Sequence, residues 1–255
     1  MRSIQLITEF KTFLLFFISC FLIGVSANAQ INWVYNFKVA QSLAIQQNKL
    51  IVVDFWAPWC SPCLKLDDDV WSNSKINEIK DEFIFLKIDI DTDKFIANRF
   101  RASQIPVIKI MDFSGHVFYE TLGYHNLNYY NTLFNRFKVD LHSLNRLLTF
   151  QLNGRMSGEA YFRLGKSYSD IGIQFTNRTV RYNLFNKSNS QYRMAIEKSK
   201  DPIVIQKAEL YLMRNEAYKG KSKKLLKKIE NYKLKGENDE LLRIKNELIS
   251  LVKID

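Results

Sequence analysis

The sequence LIVVDFWAPWCSPC, residues 50–63, joins a short apolar run to two closely spaced cysteines. Residues 50–56 are continuous, β-branched and aromatic, which is typical of a strand buried on both faces of a central sheet. Cys60 and Cys63 follow at the predicted start of a helix, three positions apart, where they can close a small disulfide ring. Free N–H groups and the helix dipole at that position would stabilise a Cys60 thiolate, and the thiolate is the form that attacks a disulfide.

Outward from this segment, the chain alternates predicted strands and helices. Further strands are predicted at 83–90, 107–111 and 117–121, and helices over 31–48, over 93–100 and from residue 126 onward. This order, with a first connection that crosses over, implies an α/β fold with a mixed central sheet flanked by helices.

The segment WAPWCSPC, preceded by VVDF, resembles the active-site segment of thioredoxins. The resemblance covers about residues 31–138 and continues through further positions: Lys87, Ile105, Pro106, Gly115 and Gly123. Within the superfamily, the helix before the strand and the DDDVWSNSKI segment after the cysteines are most similar to exported thioredoxin-like domains, such as the C-terminal domain of the bacterial membrane thiol reductase. The resemblance implies a thioredoxin-like domain over residues 31–140 that acts as a protein thiol–disulfide oxidoreductase.

The resemblance also implies a role for each residue of the site. Cys60 would be the attacking nucleophile and Cys63 the resolving thiol, and together they would form the redox-active disulfide. Asp54 is a carboxylate in an apolar strand, where burial should raise its pKa, and it would act as general base for Cys63. Lys87 matches the family's buried lysine and could pair with Asp54, and a lysine whose ammonium extends to water is the alternative. No cofactor and no metal are expected, and the implied partners are disulfide-bearing protein substrates and a protein dithiol that donates electrons.

The remaining implied residues form a substrate-binding surface. Pro106 matches the family's cis-proline, beside which the backbone of Ile105 can pair with an extended substrate segment. Trp56 and Trp59 would form an apolar collar around the cysteines. Ser61 replaces the commonest glycine, and because the residues between the cysteines tune the reduction potential, this departure leaves the potential open.

Two other interpretations of the cysteine pair are half of a zinc site and a static structural disulfide. A tetrahedral zinc site needs about four ligands, and the sequence has no second cysteine pair and no histidine cluster. The histidines are predicted surface residues: His116, His125 and His142. A static disulfide would not require the prolines and tryptophan that surround the pair. The redox interpretation is therefore favoured.

Residues 1–29 have the features of a secretory signal peptide. A basic, acid-poor start precedes an apolar run at 13–25, and residues 27–29 form an Ala-x-Ala site. Because the run is shorter than the about 20 residues needed to span a bilayer, cleavage after Ala29 and an exported, periplasmic protein are expected. An uncleaved membrane anchor and a lipidated Cys20 are the alternative forms of the N-terminus.

The composition changes near residue 140. Residues 31–140 carry a net charge of −1, whereas residues 141–255 carry +11. After residue 140 the strand signals stop and apolar residues recur at helical spacing, so we predict an all-α domain over 141–255, with a loop at 186–191. Residues 161–168 resemble the first helix of a tetratricopeptide repeat, and a bespoke helical cap is the alternative.

The strongest charge cluster is KSKKLLKK, residues 221–228. It is interpreted as a solvated helix face, with contact to anionic lipid or an acidic partner as the alternative. Nucleic-acid binding is not expected of an exported protein. The function predicted for the whole chain is an exported thiol–disulfide oxidoreductase, favouring the reductase direction. The alternative is a thioredoxin-like adaptor whose helical domain recruits a protein partner.

Overall fold

The computed structural model describes residues 31–154, 156–220 and 222–253. The predicted signal peptide, its cleavage site and Cys20 lie outside the described residues. The described part of the chain from residue 31 onward forms one compact unit.

A four-stranded mixed sheet lies at the centre of the first half of the chain. Its strands are β1 (Leu50–Trp56), β2 (Phe83–Asp89), β3 (Val107–Met111) and β4 (Val117–Leu122). Their order is β2-β1-β3-β4, with β1 and β2 parallel and the other two neighbouring pairs antiparallel. The predicted mixed sheet is confirmed. Residues of β1 are buried on both faces of the sheet, as the continuous apolar run requires.

Five helices accompany the sheet: α1 (Phe37–Gln47), α2 (Ser61–Leu66), α3 (Ser74–Asn77), α4 (Lys94–Arg99) and α5 (Leu127–Arg136). A π-helical turn, Asp67–Trp71, extends α2. Short polar side chains fix where the helices begin, because they accept hydrogen bonds from otherwise unpaired backbone N–H groups. Asp93, for example, accepts from the N–H of Ile96 at 3.1 Å and so starts α4 at the end of the loop that follows β2.

The strand register brings several connections to one edge of the sheet. Phe55 of β1 lies opposite Val107 of β3, and Val107 lies opposite Leu122 of β4. On the other side of β1, Trp56 lies opposite Asp89. The loop that carries Cys60 therefore leaves the sheet beside the β2–α4 loop and the loop before β3.

The second half of the chain is helical. Its elements are α6 (His142–Leu152), α7 (Gly158–Ile173), α8 (Arg178–Lys198), α9 (Pro202–Lys219), α10 (Lys223–Glu230) and α11 (Asp239–Lys253). Over residues 141–253, with 155 and 221 left aside, the structure assigns no strand. The predicted helical half is confirmed, and none of the described helices is long and apolar enough to cross a bilayer.

The prediction of a loop at 186–191 is wrong, because these residues lie inside α8. Their polar side chains suggested a loop, yet Ser188 is buried and donates a hydrogen bond to the carbonyl of Gly165 at 2.7 Å. Ser188 also accepts from the amide of Asn215 at 2.9 Å. A polar run is compatible with a buried helix when neighbouring helices satisfy its hydrogen bonds.

The helices α7 and α8 pack against the β3–β4 hairpin and share its hydrophobic core. Tyr168 donates a hydrogen bond to Asp112 at 2.7 Å, and the amide of Asn183 donates to the carbonyl of Phe118 at 3.2 Å. His116, predicted at the surface, is instead half-buried near the ring of Tyr168, and burial lowers its pKa. One hydrophobic core includes residues from both sides of position 140, so the division into two domains stays a prediction. The tetratricopeptide interpretation also stays a prediction.

Gly158→Ala is expected to lower the free energy of unfolding by about 1–3 kcal/mol. A Cβ at Gly158 would lie 2.7 Å from the backbone Cα and N of Ser199, so the junction between α8 and α9 must shift. Gly220→Ala is the matched control, since a Cβ there meets nothing within 4 Å. Urea unfolding of both variants measures the difference, and an equal effect at the two positions would contradict this close packing.

Candidate functional site

Cys60 and Cys63 are joined in a disulfide at the start of α2. Cys60 is the residue before the helix, and its Sγ accepts a hydrogen bond from the N–H of Cys63 at 3.3 Å. The carbonyl of Cys60 accepts from the N–H of Leu64 at 3.1 Å. Cys60 is 4% exposed and Cys63 is 1% exposed. Cys60 is therefore the more exposed residue of the pair, and in the reduced state its sulfur would lie beside the N–H groups of the first turn of α2, which favour a thiolate.

The disulfide packs in a small apolar cluster with Ala57. Trp56, Ile90 and Ile105 lie against this cluster. The peptide bond between Ile105 and Pro106 is cis, as the family resemblance implies. The Pro106 carbonyl accepts a hydrogen bond from the N–H of the residue after β4, Gly123, at 2.8 Å. Three loops thus meet beside the cysteines.

The two tryptophans of the predicted collar lie in different surroundings. Trp59 is 66% exposed, and its indole N–H donates to Asp91 at 2.6 Å. Trp56 is half-buried, and the Lys87 ammonium lies 4.5 Å from the centre of its ring. Only Trp59 of this pair presents its ring to solvent beside Cys60. Asp91 was not among the predicted site residues. Its position just after a buried strand indicates that it lies at the edge of the sheet where the strand ends.

Asp54 lies in β1 with 1% of its surface exposed. One carboxylate oxygen accepts a hydrogen bond from the indole N–H of Trp71 at 3.0 Å. The other oxygen has no hydrogen-bond partner among the described residues. Burial raises the pKa of Asp54 to about 7, against the opposing effect of Lys87, because the charged form loses its hydration. The carboxyl can therefore hold or release a proton near neutral pH.

Lys87 lies directly across from Asp54 in the register of β1 and β2. Its ammonium is 4.0 Å from the Asp54 carboxylate and forms a closer ion pair with Asp67. The structure thus contains the predicted pair, but Asp67 is the nearer partner of the lysine. Asp67 was not predicted. Its place one turn after Cys63, at the head of an acidic run, is the only signal for it in the sequence.

Together these residues place a disulfide at the start of α2, a buried carboxyl on the preceding strand β1 and a cis-proline in the loop before β3. Such an arrangement can accept or donate two electrons and one or two protons without a bound group. The fold and the site are those of a thioredoxin-like, Cys-X-X-Cys redox domain.

Comparison with known proteins agrees with this class. The thioredoxin family model matches residues 34–126. The chain is 35% identical over 77 residues to thioredoxin-1 of Saccharomyces cerevisiae, covering 29% of this chain and 72% of that protein. It is 36% identical over 69 residues to the thioredoxin of Echinococcus granulosus, covering 27% of this chain and 62% of that protein, which is less than two thirds of its length. The chain belongs to the thioredoxin family.

A solved structure similar to this chain is the thioredoxin NaTrxh of Nicotiana alata. It is 23% identical, with a TM-score of 0.37, and the match covers 43% of this chain and 96% of that structure. The family model ends at residue 126, before α5.

Proposed function

We propose that this protein exchanges thiols and disulfides with client proteins through Cys60 and Cys63, working as a reductase. The observation that carries the proposal is the disulfide at the start of α2 in the same site as a carboxyl, Asp54, whose pKa is about 7. A structural disulfide has no need of a buried carboxyl that titrates at neutral pH. The similarity to thioredoxins supports the same function.

The reaction begins with the reduced protein. The Cys60 thiolate attacks one sulfur of the client disulfide, the client S–S bond breaks, and the second client sulfur leaves as a thiolate that takes a proton from solvent. The proton of Cys63 passes to the Asp54 carboxylate, and the Cys63 thiolate attacks the Cys60 sulfur. The mixed disulfide breaks, the client sulfur that Cys60 had bound leaves as a thiolate and takes the proton held by Asp54, and the Cys60–Cys63 disulfide forms. Two electrons have then passed to the client, and a protein dithiol reduces the Cys60–Cys63 disulfide with two further electrons, becoming a disulfide itself.

Export and membrane contact belong to the same proposal. The signal-peptide features of residues 1–29 support an exported, periplasmic protein. Membrane contact would come from a lipidated Cys20 or from the exposed lysines of α10, which are Lys223, Lys224, Lys227 and Lys228. A Cys20→Ala variant that stays with the membrane fraction would exclude the lipid anchor.

The proposed activity predicts dithiothreitol-driven reduction of insulin disulfides, followed by the precipitation of the free chains. The wild-type protein is expected to accelerate precipitation well above the dithiothreitol background. A Cys60→Ser/Cys63→Ser double variant should return the rate to that background. Equal rates with the two proteins would overturn the proposed function.

An adaptor role is the second candidate, and one feature of the helical half favours it. A cavity of about 860 Å³ lies between α9 and α11, lined by Tyr211, Arg214, Tyr218 and Leu242 among others. A protein segment could lie in it without any redox step. If cells that carry Cys60→Ala/Cys63→Ala keep the wild-type phenotype, the adaptor role is favoured over the exchange reaction.

A further inference from the structure

Large apolar side chains stand exposed around the redox site. Phe95, in the first turn of α4, is 76% exposed, which is the highest value among the exposed large hydrophobic residues that the structure describes. Trp59 is 66% exposed and Leu122 is 52% exposed. A phenylalanine with so much of its surface exposed contributes little to the core, so core packing does not explain why position 95 is apolar.

Trp59 and Leu122 lie at the edge of the sheet from which the Cys60 loop leaves, and α4, which carries Phe95, begins in the neighbouring loop. Trp59 is held by its hydrogen bond to Asp91 in the β2–α4 loop, and Phe95 follows Asp91 by four residues, a span of at most about 14 Å. Leu122 ends β4 opposite Val107, at the edge from which the Cys60 loop leaves. Across four strands the edge is about 14 Å wide. An extended segment that crosses it can therefore contact Phe95 and Trp59 on one side of the cysteines and Leu122 on the other.

The same edge is acidic. The β2–α4 loop carries Asp89, Asp91 and Asp93 within five residues, and Lys94 is the basic residue beside them. Asp91 is exposed, and the other two carboxylates are half-exposed. This loop contrasts with the second half of the chain, whose net charge is +11. A partner that docks on this edge would gain from basic residues, and an acidic partner would be repelled.

We propose that Phe95 and the acidic β2–α4 loop select the client protein, and that the client presents its disulfide in an extended segment with apolar and basic residues next to the cysteine. This inference rests on the proposed function. Phe95 contacts the client's apolar side chain, and Asp91, fixed by Trp59, faces the client's basic side chain. Phe95 takes no part in the electron transfer itself.

The test compares two disulfide substrates with the full-length protein. The first is a disulfide-bridged synthetic peptide with leucine and lysine beside the cysteine, and the second is oxidised glutathione, which has no large apolar side chain beside its cysteine. Phe95→Ser is the variant, and Phe150→Ser is its matched control because Phe150, on α6, is 61% exposed. Circular dichroism before the assay confirms that both variants are folded.

Phe95→Ser is expected to lower kcat/KM for the peptide about tenfold, mainly through KM, and to leave the glutathione rate unchanged. Phe150→Ser should leave both rates unchanged. Replacing lysine by glutamate in the peptide should lower kcat/KM for the wild-type protein, most strongly at low salt. Unchanged kcat/KM of Phe95→Ser for the peptide would overturn the inference. Failure of the wild-type protein with both substrates would overturn the proposed function and the inference with it.

Discussion

Asp54→Asn is expected to stabilise the oxidised protein at pH 8 by about 4 kcal/mol and to leave its stability at pH 3.5 nearly unchanged. The carboxyl of Asp54 is buried, and its pKa in the folded protein is about 7, above its ordinary value of 3.8. Asparagine has a similar shape, can still accept the hydrogen bond of Trp71, and carries no charge that must be buried. Lys87 keeps Asp67 as its ion-pair partner in this variant.

The sign of this effect follows from proton binding. Between pH 3.8 and about 7 the folded protein holds a proton on Asp54 that the unfolded chain releases. Folding stability therefore falls by about 1.4 kcal/mol for each pH unit in this window, and the loss is complete above pH 7. Below pH 3.8 both states hold the proton and Asp54 contributes nothing. In the Asp54→Asn variant this contribution to the pH dependence of folding stability is absent.

Urea unfolding at pH 3.5 and pH 8 measures the two stabilities. The control is Asp81→Asn, because Asp81 is exposed in the short turn before β2. An Asp54→Asn variant that is less stable than the wild type at pH 8, or that gains equally at both pH values, would contradict the buried, neutral-pKa carboxyl.

Cys63→Ser is expected to accumulate a covalent mixed disulfide between Cys60 and its clients. With the resolving thiol gone, the first exchange still occurs but the intermediate has no internal route to release. Turnover should fall at least about 10³-fold, as for the loss of a catalytic nucleophile. Non-reducing electrophoresis and mass spectrometry of cell extracts measure the trapped species.

The companion variant tests which sulfur attacks. Cys60→Ser should trap far less client, because Cys63 is the more buried residue of the pair and lies inside the first turn of α2. The double variant Cys60→Ser/Cys63→Ser measures how much client is recovered without any mixed disulfide. Trapping by Cys60→Ser and not by Cys63→Ser would reverse the two roles.

The sequence was sufficient for the parts of the fold that depend on local pattern. The apolar run of residues 50–56 predicted β1, and the loss of strand signals after residue 140 predicted the helical half. The loop at 186–191 was wrong because the contacts that satisfy Ser188 come from Gly165 and Asn215, on two other helices. Composition within a segment cannot report hydrogen bonds that distant segments supply.

The same limit separates the predicted site residues from the missed ones. Asp54, Cys60 and Cys63 lie within ten residues of sequence, from β1 to the first turn of α2, so a single motif predicted that they belong to one site. Asp67 and Asp91 join the site only through folding: one forms an ion pair with Lys87 and the other accepts from Trp59. An exposed phenylalanine such as Phe95 is equally hidden in a sequence, because an apolar residue in a short helix predicts a core position.

The reduction potential of the Cys60–Cys63 couple tests the central claim most directly. The protein is equilibrated in dithiothreitol or glutathione buffers of stepped ratio, and the reduced fraction is measured by thiol alkylation and mass spectrometry. A reductase predicts a reversible two-electron couple near thioredoxin's value of about −270 mV. A potential near about −120 mV, that of a strong oxidant, would contradict the reductase assignment. A pair that remains oxidised at every ratio would contradict the exchange reaction itself.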